Sequence, residues 1–108
     1  MSELEELRSV TSEGIFVDNL YRMAKISKEL MRCPNMLVPG FVLRSAFLNV
    51  ADAWDERPIV VEDVNELCEQ MRETVLGITL ALENGVSSEQ LTVLLERLIS
   101  VSNEAAGV

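Results

Sequence analysis

Four glutamates, Glu62, Glu66, Glu69 and Glu73, recur at steps of four, three and four residues. On a helix that spacing sets their carboxylates in one row. Such a row can hold a cation weakly, can imitate the phosphate backbone of DNA, or can simply be a solvated face. Stronger metal patterns are missing. The chain has no histidine, no Cys-x-x-Cys pair and no acidic loop of the EF-hand kind, so zinc and calcium motifs are absent. Glu-x-x-His pairs of di-iron bundles are absent as well. The expectation is no metal and no cofactor.

Nucleophilic chemistry finds little more. Lys25, Ser27 and Lys28 come nearest to a Ser–Lys arrangement, but helical spacing sets Ser27 on the apolar side and both lysines on the polar side. Cys33, beside Pro34 in a loop, is the one candidate reactive thiol, and no imidazole exists to activate it. Cys68 falls on an apolar seam and reads as a small core residue. No glycine-rich phosphate loop occurs. The expectation is a chain that is not an enzyme.

The glutamate row needs a helix to carry it. Apolar residues at Val64, Cys68, Met71, Val75, Ile78 and Leu82 step by four and three along the opposite side. The stretch Val61–Leu82 therefore predicts a helix of about five to six turns with one apolar and one acidic face. Asn84-Gly85-Val86 supplies a left-handed stop, and Ser87 with Gln90 supplies a cap for the next helix. A turn this short predicts an antiparallel hairpin with a last helix over Ser88–Asn103, its inner face Leu91, Leu94, Leu95, Leu98 and Val101. Residues 104–108 read as a loose tail.

Upstream, residues 1–12 predict a short N-terminal helix, capped by Ser2 with Glu5 and free to fray. A longer one is expected over Glu13–Arg32, capped by Thr11 or Ser12, with Phe16, Leu20, Met23, Ser27 and Leu30 as its seam. Cys33-Pro34 ends it. Met36–Val38 read as an apolar connection, and Pro39-Gly40 as a break and helix start. The third helix is expected over Phe41–Asp55, its buried side Leu43, Ala46, Phe47, Val50, Ala51 and Trp54. Phe41, Val42 and Leu48 widen its apolar arc beyond one stripe. An arc that wide belongs to a deeply buried helix or to one that also faces a second chain.

Composition bounds the rest. Apolar residues make up 48% of the 108 residues, and aromatics only 5%. That suits one all-α domain over residues 1–108, a compact bundle of four main helices plus the short N-terminal one. The net charge of −9 argues against direct nucleic-acid binding and against an anionic membrane surface. The charge is uneven. Between Gly14 and Arg44 stand five basic residues against two acidic; between Asp52 and Glu73, eight acidic against two basic. The basic helix is expected beside the acidic one, within the chain or across a dimer. The opening MSELEELRSV has no signal-peptide pattern and no run could span a bilayer, so a cytoplasmic protein with reduced cysteines is expected.

The expected function is a non-catalytic protein-interaction module: a small adaptor, chaperone-like subunit or regulator. Phe41, Val42, Leu48, Leu80 and Leu95 stand at or beyond the seam margins, and a small domain cannot cover them all. Another protein is the expected partner, with a homodimer the simplest case. The candidate contact residues are Phe41, Val42 and Leu48 with Glu62, Glu66, Glu69 and Glu73. The alternative is an acidic inhibitor that occupies a partner's nucleic-acid-binding surface.

Overall fold

The computed structural model describes residues 2–108, and within them five helices and no strand: α1 (Glu3–Glu13), α2 (Val17–Leu30), α3 (Leu37–Glu56), α4 (Val61–Asn84) and α5 (Ser88–Ala106). None of these helices is long and apolar enough to cross a membrane. Each packs against two others, in the order α1–α2–α3–α5–α4 and back to α1. The helices thus form a closed ring, and the core fills its middle. Leu7, Leu20, Met23, Leu43, Phe47, Met71, Val75, Ile78 and Leu98 are all fully buried there.

The final hairpin forms as its turn residues dictate. Gly85 takes the left-handed conformation at φ 63°. The Val86 amide donates back to the Ala81 carbonyl at 3.2 Å, which satisfies a carbonyl the helix end leaves free. Ser87 Oγ then accepts from the Gln90 amide at 3.3 Å and starts α5. On α4, Val64, Met71, Val75 and Ile78 are buried, while Cys68 and Leu82 are half-buried at the seam's edge.

Three expectations need correction. First, α1 is not a frayed end. Ser2 caps it as expected, but it runs on to Glu13 because Thr11 and Ser12 bond back to the Leu7 and Arg8 carbonyls instead of capping the second helix. It buries Leu7, Val10 and Thr11 and reaches across to α4 through Arg8 and Glu83, 2.6 Å apart. In consequence α2 starts four residues late, at Val17. Second, Pro39-Gly40 is not a break. Helix α3 begins at Leu37, which puts Pro39 in the first turn, where a missing N–H leaves no bond unmade. Leu37 and Val38 are therefore exposed helix residues and not a connection folded over the bundle. Third, residues 104–106 are no loose tail. The α5 helix continues to Ala106, Ala105 is fully buried, and its carbonyl accepts from the Trp54 indole Nε1 at 3.0 Å.

Candidate functional site

Two grooves hold much of the exposed apolar surface, while Leu80, Val86 and Val93 of the α4–α5 hairpin stand outside both. One is a groove of about 350 Å³ between α3 and α5. Phe41, Val42, Ser45 and Asn49 come from α3; Ile99 and Asn103 come from α5. Phe41 is 56% exposed, Ile99 is 44% exposed, and Leu37 and Val38 extend the apolar surface one turn back along α3. No ionisable side chain lines this groove. Leu48 stands two turns beyond Phe41 on the same side of α3, half-buried against the core, and outside the groove. Leu80 is exposed as expected, whereas Leu95 is buried at the α5 inner face.

The second groove is larger, about 590 Å³, at the end of the ring that gathers the C-termini of α1 and α3 and the N-termini of α2 and α4. Ile15, Phe16 and Val17 make one wall; Val61 and Val64 make the other; Trp54 and Ile59 close the floor. Phe16, which spacing sets on the α2 seam, instead sits at the N-cap position, 49% exposed, with no side-chain hydrogen bond to the helix it precedes.

Asn19, which carries no motif, builds that wall. It is buried, and its amide donates to the carbonyls of Val10 at 3.3 Å and Gly14 at 3.1 Å. Those two bonds pin the α1–α2 corner and hold Phe16 outward. An asparagine in the first turn of a helix, five residues after a glycine, is the sequence signal that could have found it.

All four glutamates of the predicted row, Glu62, Glu66, Glu69 and Glu73, are exposed on the outer side of α4. Glu69 lines the larger groove together with Arg72, and Glu62 and Glu66 lie one stripe further round α4 from Val61 and Asn65. Glu69 meets Arg72 Nε at 3.6 Å; among the described residues Glu62, Glu66 and Glu73 have no cationic partner. Other carboxylates crowd the same end. The Tyr21 hydroxyl donates to Asp52 at 2.9 Å, and that bond, partial desolvation and the charges of Asp52, Asp55 and Glu56 push its pKa up to about 12. The arginines here are already engaged: Arg22 by Glu13 and Asn19, Arg72 by Glu69, and Arg57 by the Ala106 carbonyl. The basic side of α2 does not meet the acidic row within the chain, because α1 stands between α2 and α4.

Comparison with protein-family models, curated proteins and solved structures finds no match to this chain. The two grooves and the charges around them therefore carry the functional reading.

The thiols and the Ser–Lys trio can be placed as well. Ser27 is fully buried and donates to the Met23 carbonyl at 2.8 Å, away from Lys25 and Lys28 on the outer side of α2. Cys33 is half-buried, and desolvation together with the Glu3 carboxylate raises its pKa. Desolvation and Glu69 do the same to Cys68. Both shifts disfavour the thiolate, which is the reactive form. Iodoacetamide should therefore modify both cysteines more slowly in the folded chain than in urea at neutral pH. The folded-state rate should still climb with pH where a free cysteine's has levelled. Faster labelling of folded Cys33 would contradict the placement.

Proposed function

We propose that this chain is a non-catalytic protein-interaction module, an adaptor or regulator that works by presenting the α3–α5 face. The observation that carries this is the uncharged groove between Phe41, Val42 and Ile99, continued by Leu37 and Val38. Contiguous apolar surface on a small domain marks a contact site. A second copy is the simplest occupant. An isologous interface sets each surface against itself. A chain of net charge −9 meets its own copy most easily where the face carries no charge.

The test is the mass in solution by light scattering and by sedimentation across a range of concentrations. The expected result is a dimer that Phe41→Asp and Ile99→Asp each weaken by about tenfold or more, since a carboxylate would then face an apolar centre. Both residues are exposed in the single chain, so neither change should unfold it. Unchanged mass and unchanged partner capture in both variants would sink the proposal.

The exposure of the glutamate row supports the second reading, an acidic inhibitor of a nucleic-acid-binding partner. That mode of binding falls steeply between about 0.05 and 0.3 M salt, whereas an apolar contact persists.

A further inference from the structure

The larger groove differs in chemistry from the α3–α5 face. Its centre, from Phe16 to Val61 over Trp54 and Ile59, is apolar, while Glu13, Glu69 and Arg72 stand in its lining. Its volume of about 590 Å³ suits about four large side chains, the number one face of a docking helix presents over two to three turns. Its surroundings are acidic. Glu13 and Glu69 in its lining are paired with Arg22 and Arg72, whereas Glu62 and Glu66, one stripe further round α4, have no salt-bridge partner among the described residues, and Asp52, Asp55 and Glu56 stand at the end of α3.

A local rule is also broken at both walls. Helices α2 and α4 each begin with an exposed apolar residue, Phe16 and Val60, at a position where a serine or aspartate would bond the free amides. Phe16 lines the opening and Val60 sits between two residues that line it, Ile59 and Val61; α3 also begins on an apolar residue, Met36, away from it. Sequences depart from capping rules chiefly where another demand applies.

We propose that this groove docks a basic amphipathic helix of a partner protein. Its apolar face would seat between Phe16 and Val61 over Trp54. Its lysines or arginines would meet Glu62 and Glu66. The acidic border selects the charge of the occupant, and the apolar floor selects its pattern. This site is separate from the α3–α5 face and does not depend on the dimer proposed there.

The probe is a dye-labelled synthetic peptide of leucine and lysine, about 18 residues long, with leucines at helical spacing. Its controls are a scrambled peptide of the same composition and a version with glutamate for lysine. Anisotropy reads binding to the full chain. Emission from Trp54, the one tryptophan, reports whether the groove is occupied.

Binding is expected for the patterned basic peptide, with a change in Trp54 emission, and about tenfold weaker binding for both controls. Phe16→Ser combined with Val61→Ser should cost about tenfold in affinity, the loss of two apolar walls. Phe16→Ser also supplies the missing cap, so this variant should melt no lower than the parent, and unfolding cannot account for its loss. Glu62→Gln with Glu66→Gln should weaken binding and flatten its salt dependence. Phe41→Asp should leave it unchanged. Equal binding of the scrambled peptide would overturn the proposal. So would binding lost in Phe41→Asp in place of Phe16→Ser, or a chain dimer that Phe16→Ser dissolves.

Discussion

Gly40→Val is expected to destabilise the fold by about 3 kcal/mol or more, with Gly40→Ala about half as severe. In most helices the second change would gain about 0.5–1 kcal/mol, because alanine loses less backbone freedom on folding. Here the helix crossing reverses the sign. A Cβ on Gly40 would lie 2.7 Å from Met31 Cγ and 3.0 Å from both Met31 N and Ser27 O. The Met31 side chain can yield. The other two atoms cannot, because they are donor and acceptor of one backbone hydrogen bond, 3.1 Å long, at the end of α2. The added carbon must push α3 off α2 or break that bond, and valine adds two more carbons in the same space. Gly77→Ala is the internal comparison. It lies within α4, and its added Cβ would meet only Leu94 Cδ2 at 3.8 Å. That change should gain about 0.5–1 kcal/mol. Urea unfolding of the three variants tests the argument, and Gly40→Ala at parent stability or above would refute it.

Gly40 also shows where sequence reading stops. Pro39-Gly40 looks like punctuation when read along the chain. Across the chain, the proline sits where no helix bond is lost and the glycine sits where another helix passes. Only the second relation explains them, and it involves residues not adjacent in sequence. The α4–α5 hairpin was legible for the opposite reason. Gly85, Val86 and Ser87 make their bonds within a few residues of themselves, so local chemistry decides the outcome. The seam of α4 and the outward glutamates came from period alone. Ring order did not, and with it went the expectation that basic and acidic helices adjoin. Of the candidate contacts, Phe41 and Val42 could be read from the breadth of an apolar arc. The larger groove could not. It depends on Asn19 bonding a corner nine residues back and on Phe16 turning outward from a seam it fits by spacing.

Deleting residues 104–108 is expected to destabilise the chain by about 3 kcal/mol, although composition marks them as a tail. Ala105 is fully buried and Ala106 half-buried at the end of α5. Two bonds from the C-terminal end of the neighbouring α3 end on this turn: Trp54 Nε1 to the Ala105 carbonyl at 3.0 Å, and Arg57 Nη2 to the Ala106 carbonyl at 2.7 Å. Removal opens one side of an indole that is now only 5% exposed. Exposing about a third of a tryptophan's area loses about 2 kcal/mol of apolar burial. The buried indole bond contributes about 1 kcal/mol more, net of its replacement by water. Trp54 is the reporter as well as the cause. Its emission in the native state should shift to longer wavelength as water reaches the ring, and the urea midpoint should fall in the same variant. Trp54→Phe in the full-length chain separates the two contributions, since it keeps most of the packing and removes the donor; it should lose about 1 kcal/mol. A truncated chain with the parent's midpoint and the parent's emission would mean that α5 closes the ring without its last turn, and that the bond to Ala105 holds nothing in place.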